Sequence, residues 1–177
     1  FICTNCKMLI LLFILFLIWY LIPTYQKPRV IPNFISDEEI EHIKKEAESR
    51  LSTSTVSMDI TIDKTTRDSE TAWLDFEDPI VNRVIQRSVN LTDRPRKNCE
   101  KLQVVRYKTD GFYKPHQDTF SDTKGNKRMY TIILALNDDY EGGETAFPNL
   151  RRKYKLNKGD ALFFHTLDNY ELKTSKA

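Results

Sequence analysis

Cysteine is scarce in this chain of 177 residues, which contains three, Cys3, Cys6 and Cys99. Cys3 and Cys6 precede a long apolar run, so the body of the chain holds one cysteine and cannot form an internal disulfide. A small scaffold held together by disulfides is therefore excluded. The spacing of Cys3 and Cys6 is that of half a zinc site, but no second pair follows, and we interpret both as cysteines beside a membrane.

An excess of charge of one sign is also missing. The 27 lysine and arginine residues nearly balance the 25 aspartate and glutamate residues, which gives a net charge of +2. No block of like charges resembles an arm that binds nucleic acid, so we expect no nucleic-acid partner. Charged residues make up 29% and apolar residues 40% of the chain, which is a globular composition of a length that suits one domain.

One apolar run stands out near the N-terminus. Residues 8–22 carry no charge, and Trp19 and Tyr20 lie near the end of this run, where interfacial aromatic residues belong. The run is slightly shorter than the roughly 20 residues that span a bilayer, and no signal-peptidase site follows it. We therefore predict a single-pass membrane anchor, within a tail, anchor and linker that occupy residues 1–28, and its orientation stays open.

Two amphipathic helices are predicted next. Residues 36–51 begin with a capping box of Ser36 and Glu39 and repeat apolar residues on one face. Residues 78–89 begin with Asp78 as the N-cap, followed by a proline that suits the first helical turn.

Short strands dominate the chain from Leu102 onward. The runs LQVVRY, RMYTIILAL, ETAFP and GDALFFHTL are rich in β-branched and aromatic residues, and turn signals separate them. Helices followed by strands predict an α+β domain over residues 29–177, with a β-sandwich or jelly-roll core.

A histidine and an aspartate stand two positions apart in the stretch YKPHQD, at His116 and Asp118. On an extended segment these positions point to the same side, so an imidazole and a carboxylate can hold one metal ion there. With a distant second histidine they form the facial triad of non-haem Fe(II) oxygenases, which leaves coordination positions open for other ligands. Such a tripeptide also arises by chance, and the alternative is a surface histidine beside an acid.

The motifs around this pair resemble the prolyl 4-hydroxylase branch of the 2-oxoglutarate/Fe(II) dioxygenases. They are TTRDSETAWL, LQVVRYKTDGFYKPHQD, KGNKRMYTIILALNDDYEGGETAFPNL and KGDALFF, and the resemblance covers about residues 29–173. It implies a double-stranded β-helix, or jelly roll, behind an N-terminal helical layer. It also implies Fe(II), 2-oxoglutarate and L-ascorbate as cofactors.

The resemblance further implies roles for individual residues. His116 and Asp118 match the first two iron ligands and so the catalytic centre, while Tyr107 and Thr145 match residues that line the 2-oxoglutarate pocket. The alternatives are a core aromatic residue for Tyr107 and an ordinary strand residue for Thr145. Four positions match residues of the groove for the substrate peptide: Arg67, Ser69, Tyr113 and Arg128. Both arginines have an alternative as solvated surface cations.

The resemblance implies a position for the second histidine of the triad that these 177 residues do not include. In this family it lies on the strand after the GDALFF stretch, and a lysine that binds 2-oxoglutarate follows. We therefore expect both residues beyond Ala177, in a domain that is incomplete at its C-terminus, and predict that these 177 residues alone are inactive or nearly so. His165 is the alternative third ligand, or else a partly buried strand histidine.

The sequence thus predicts a prolyl 4-hydroxylase that acts on proline-rich peptides or proteins. We expect it to be anchored in the endoplasmic reticulum or Golgi membrane, in agreement with a glycosylation sequon at Asn90. Two alternatives stay open: a 2-oxoglutarate dioxygenase with another substrate, and a catalytically dead, membrane-anchored module that binds proline-rich peptides. The oligomeric state is not determined.

Overall fold

The computed structural model describes residues 4–22, 24–56, 62–119 and 126–169. Cys3 and the C-terminal residues 170–177 lie outside this part. The described helices are α1 (Thr4–Leu21), α2 (Asp37–Glu48) and α3 (Pro79–Val89), with short 3-10 helices at Arg96–Asn98 and Pro148–Leu150. The strands are β1 (Arg29–Ile31), β2 (Ser52–Thr53), β3 (Arg67–Asp68), β4 (Glu70–Leu74), β5 (Leu102–Arg106), β6 (Phe112–Tyr113), β7 (Tyr130–Leu134), β8 (Thr145–Phe147), β9 (Arg152–Tyr154) and β10 (Ala161–His165).

The predicted capping box starts α2. The Ser36 hydroxyl accepts the backbone N–H of Glu39 at 3.2 Å, and the Glu39 carboxylate accepts the N–H of Ser36 at 3.0 Å. Both predicted helices are confirmed, but α2 ends at Glu48 rather than at Leu51, because the chain already turns into β2. The buried face of α2 consists of Ile40, Ile43 and Ala47, together with Glu39.

The second predicted helix, α3, packs against α2. The carboxylate of Asp78 accepts the backbone N–H groups of Ile80 and Val81, both at 2.9 Å, as an N-cap should. Arg87 on α3 donates to both carboxylate oxygens of Glu39 on α2, at 2.8 and 2.9 Å. The two helices are therefore joined by an ion pair as well as by their apolar faces.

Every strand pair in the described residues is antiparallel. One sheet has the order β1-β10-β7 and a second has the order β2-β4-β5, while β3–β6 and β8–β9 form two-stranded ribbons. Helices and sheets together confirm the mixed α and β composition that the pattern predicted.

The sheet β1-β10-β7 separates two apolar clusters. Ile132, Leu134 and Ala161 lie on the face that packs against the helices. Ile133, Leu162 and Phe164 lie on the other face, against Phe147 and Leu156. Because successive strand residues point to opposite faces, the alternation of these side chains gives the sheet a helical layer on one side and a second strand layer on the other.

The predicted single-pass anchor at residues 8–22 is not supported. Residues 8–21 of this run lie in α1, and no helix within the described residues is long and apolar enough to cross a membrane.

Candidate active site

The two residues of the predicted iron pair lie just after β6. This strand pairs with β3, so that Tyr113 lies opposite Arg67, and it ends at Tyr113. His116 and Asp118 then bring imidazole Nε2 and carboxylate Oδ1 to 3.0 Å from each other. Their side chains are 39% and 20% exposed, so a ligand from solvent can reach the pair.

Hydrogen bonds determine which nitrogen of His116 carries a proton. Nδ1 lies 2.8 Å from the carbonyl oxygen of Lys114. A carbonyl oxygen can only accept a hydrogen bond, so Nδ1 carries the proton. In the neutral ring, the lone pair of Nε2 then points toward Asp118. Burial by itself would lower the pKa of His116, but its hydrogen bonds to Asp118 and Lys114 outweigh burial and raise this pKa. A proton between the two side chains thus occupies a position that also suits a cation.

The carboxylate of Asp118 is held in its ionised form. Burial by itself would raise its pKa, but hydrogen bonds from His116 and Thr131 and the charges of His116 and Arg128 lower it. The hydroxyl of Thr131 is buried and has no partner at normal hydrogen-bond length in the described residues, yet it lies close enough to Asp118 to contribute.

An imidazole nitrogen and an ionised carboxylate are two of the three donors that non-haem Fe(II) sites use, so His116 and Asp118 fit that ion. They do not complete its coordination. Across residues 4–22, 24–56, 62–119 and 126–169, no group of three or more His, Cys, Asp or Glu residues could hold a metal ion.

His165 does not provide the third ligand. Its ring contacts the rings of Tyr130 and Phe163, with centroid distances of 4.9 and 5.5 Å. Asp118 lies instead beside Thr131, the next residue of β7 after Tyr130. Neighbouring strand residues point to opposite faces, so the sheet stands between the imidazole of His165 and the carboxylate of Asp118.

Three side chains form a stack that includes His116 of the iron pair. The ring of Tyr113 stacks on the imidazole of His116 with centroids 3.6 Å apart, and the guanidinium of Arg67 lies 4.9 Å from the centroid of the Tyr113 ring. Arg67 donates from Nε to the hydroxyl of Ser69 at 2.9 Å. Arg67 is 8% exposed, so its alternative interpretation as a solvated cation is wrong.

Tyr107 lies at the edge of this stack. It follows β5 and is 47% exposed, so the alternative of a core aromatic residue is also wrong. Partial burial raises the pKa of its phenol, against the opposing effects of Arg67 and of a hydrogen bond with Ser69. The structure therefore places Tyr107 next to the predicted groove residues Arg67 and Ser69.

Thr145 lies on a different ribbon. It is half-buried and pairs with Tyr154 across β8 and β9. The hydroxyl of Tyr154 donates to the carbonyl of Pro28 at 3.2 Å. Next to it, the hydroxyl of Tyr25 donates to the carbonyl of His165 at 2.8 Å. The predicted linker is therefore packed on the domain.

Comparison with known proteins identifies the family. Residues 102–173 match the 2OG-Fe(II) oxygenase superfamily. A putative prolyl 4-hydroxylase of Acanthamoeba polyphaga mimivirus is 33% identical over 154 residues, which cover 82% of this chain and 63% of the relative. This chain belongs to the prolyl 4-hydroxylase family. The human prolyl 4-hydroxylase subunit alpha-1 is 36% identical over 157 residues, which cover 81% of this chain and 29% of the subunit.

A solved structure of the family has a similar mixed fold of helices and strands. The viral collagen prolyl hydroxylase vCPH of Paramecium Bursaria Chlorella virus-1, in its 2OG complex, has a TM-score of 0.63 and 26% identity. The match covers 85% of this chain and 84% of vCPH. The chain nevertheless spans less than two thirds of the mimivirus relative and less than a third of the human subunit.

The sequence of this prolyl 4-hydroxylase family member did not disclose every residue near the site. Tyr25 lies in a proline-marked linker with no periodicity, yet burial, Tyr154 and Asp118 raise its pKa to about 12. The alternation of side chains between the two faces of β7 could have indicated Thr131 as a residue near the site. Arg128, whose place in the peptide groove stays a prediction, forms an ion pair with Glu100 and a hydrogen bond to the carbonyl of Asp118.

Proposed function

We propose that this chain is the catalytic domain of a prolyl 4-hydroxylase that uses Fe(II), 2-oxoglutarate and L-ascorbate. The observation that carries the proposal is the convergence of His116 Nε2 and Asp118 Oδ1, 3.0 Å apart, next to the stacked ring of Tyr113. The family match and the name of the mimivirus relative support the same reaction.

In this proposal His116 and Asp118 hold the metal. Bound Fe(II) would activate O₂, one oxygen atom of which would enter a C–H bond of proline while the other would oxidise 2-oxoglutarate to succinate and CO₂. The carbonyl of Lys114 keeps the proton on Nδ1 of His116, so that Nε2 remains a ligand. The third iron ligand lies outside the described residues and stays a prediction.

The exposed aromatic side chains beside the metal pair suit a proline-rich substrate. Tyr107 is 47% exposed, and Tyr113 presents a ring held between Arg67 and His116. Proline-rich chains already favour the extended polyproline II conformation, and aromatic grooves bind it at low entropic cost. We propose Tyr107 and Thr145 for the 2-oxoglutarate pocket, and Arg67, Ser69, Tyr113 and Arg128 for the peptide groove.

A secretory compartment, the endoplasmic reticulum or Golgi, is the location we propose. The acceptor side chain of the sequon, Asn90, is exposed at the C-terminus of α3, where a glycan would not disturb the core. Expression in animal cells followed by endoglycosidase digestion tests this location. A mobility shift that disappears in Asn90→Gln is expected, and an unglycosylated chain would contradict it.

Metal titration of the chain tests the function. In the complete enzyme, anaerobic Fe(II) with 2-oxoglutarate should bind one ion per chain in calorimetry, and binding should disappear in His116→Ala and Asp118→Ala. A proline-rich peptide should gain the mass of one oxygen atom when the complete enzyme is used. A chain that binds the peptide equally well without metal, and binds no Fe(II), would favour the dead binding module. Metal-dependent consumption of 2-oxoglutarate without peptide oxidation would favour another substrate.

A further inference from the structure

We propose that Glu100 and Arg128 form a positioning pair that holds the backbone of Asp118 and thereby aims its carboxylate at the metal. The inference rests on the iron site proposed above. It gives Arg128 a role in addition to the peptide-groove role proposed above, and it gives Glu100 a role that no sequence motif suggested.

The guanidinium of Arg128 joins three segments of the chain. Its Nε and one terminal nitrogen donate to the two carboxylate oxygens of Glu100, both at 2.8 Å. Its other terminal nitrogen donates to the backbone carbonyl of Asp118 at 3.0 Å. Glu100 precedes β5, Asp118 follows β6 and Arg128 precedes β7, so one side chain fixes the relative positions of all three.

Hydrogen bonds from Thr166 hold the backbone of Arg128 and of its neighbour Met129. The N–H of Thr166, just after β10, donates to the carbonyl of Met129 at 3.0 Å. The hydroxyl of Thr166 donates to the carbonyl of Arg128, and Thr166 is fully buried. The guanidinium therefore reaches Asp118 from a backbone that is hydrogen-bonded to the residue directly after β10, the middle strand of the sheet β1-β10-β7.

The carboxylate of Asp118 needs such support because its segment is not part of a strand. β6 ends at Tyr113, and His116 and Asp118 follow it in irregular backbone. A metal ligand carried by such backbone keeps its direction only if neighbouring groups hold it. A bidentate ion pair suits this task, because the planar fork of arginine matches a carboxylate in one geometry, which lysine cannot reproduce.

Two variants weaken the pair without touching a metal ligand. Glu100→Gln removes the charge and one acceptor oxygen, and Arg128→Lys keeps the charge but loses the fork. Glu48→Gln is the matched control, because Glu48 makes an equally close pair with Arg106, at 2.8 and 2.9 Å, with no contact to the metal pair. Each substitution is made in the complete enzyme, which is titrated with Mn(II) by calorimetry. Hydrogen–deuterium exchange of residues 112–119 is measured separately without metal.

Partners outside the first coordination shell typically change metal affinity by about 10-fold or more. We expect Glu100→Gln and Arg128→Lys to raise the Kd for Mn(II) about 10-fold and to speed exchange in residues 112–119 alone, while Glu48→Gln does neither. Unchanged Kd values would overturn the inference, even with faster exchange. If the unmodified complete enzyme takes up no Mn(II), the proposed iron site fails. Unchanged exchange in metal-free Glu100→Gln would then overturn the positioning role as well.

Discussion

The ring of Tyr113 stacks on the imidazole of His116, with centroids 3.6 Å apart and an angle of 23° between the planes. The imidazole is also held through Nδ1 by the carbonyl of Lys114. Together these contacts limit rotation of the ring, so that Nε2 points at Asp118 before any metal arrives. The half-site of two ligands is therefore preorganised, which reduces the cost of ordering it on binding.

Replacement of Tyr113 tests this preorganisation. Tyr113→Phe keeps the stack and should bind Mn(II) like the unmodified chain, whereas Tyr113→Ala should bind several-fold more weakly. A stacked aromatic pair contributes about 0.5–1.5 kcal/mol, which corresponds to roughly 2- to 10-fold in affinity. Calorimetry of the three proteins measures this difference. Equal affinity of Tyr113→Ala and the unmodified chain would show that the stack does not orient His116.

Arg67 offers a test of the peptide groove. Its guanidinium is 8% exposed, donates to Ser69, and faces the Tyr113 ring. Arg67→Lys keeps the charge but loses the forked donors, so we expect a labelled proline-rich peptide to bind at least about 10-fold more weakly in fluorescence anisotropy. The unfolding midpoint is the control. A lower midpoint with unchanged peptide affinity would mean that Arg67 only stabilises the fold.

Local patterns were sufficient to predict the helices and the convergence of the His116 and Asp118 side chains. The capping box at Ser36 and the Asp78 cap are short-range signals, and both appear in the structure as predicted. The pair at His116 and Asp118 also depends only on spacing two residues apart. In each case the deciding interaction lies within a few residues of sequence, where periodicity and propensity can report it.

Contacts between distant segments could not be predicted in this way. Nothing in the sequence near Glu100 indicates that it meets Arg128, because the contact depends on how β5 and β7 are placed in space. His42 falls on the charged face of the first predicted helix, a pattern that favours a solvated side chain, yet its Nε2 lies 2.7 Å from Oδ2 of Asp78. The sequence leaves His165 as a candidate third ligand, because it does not show which face of the sheet the imidazole occupies.

The ion pair between α2 and α3 should set part of the acid stability. The hydrogen bond from Arg87 and the neighbouring positive charges lower the pKa of Glu39 despite its burial. Glu39→Gln preserves the capping box, since glutamine can also accept from Ser36, but removes the charge. Because Arg87 is 37% exposed, we expect a loss of only about 1–2 kcal/mol in the free energy of unfolding at neutral pH.

The sign of the pH dependence follows from the lowered pKa of Glu39. Its contribution is present above the ordinary glutamate pKa of about 4.3 and is lost as pH falls through the lower pKa of the folded state. Urea unfolding at several pH values should therefore show the two proteins converging in acid. A constant difference between them at all pH values would contradict the ion-pair explanation.

Asp78 combines a helix cap with a contact to His42, and substitutions can separate the two. Asp78→Asn keeps the cap, because asparagine caps about as well as aspartate, but weakens the bond to His42. Asp78→Ala removes both, so we expect it to lower the free energy of unfolding by about 1 kcal/mol more than Asp78→Asn. Urea unfolding measures the loss of stability in Asp78→Asn and the further loss in Asp78→Ala. Equal stability of Asp78→Ala and Asp78→Asn would mean that the cap contributes nothing measurable. Mn(II) affinity should be unchanged in both, since α3 carries none of the proposed metal ligands.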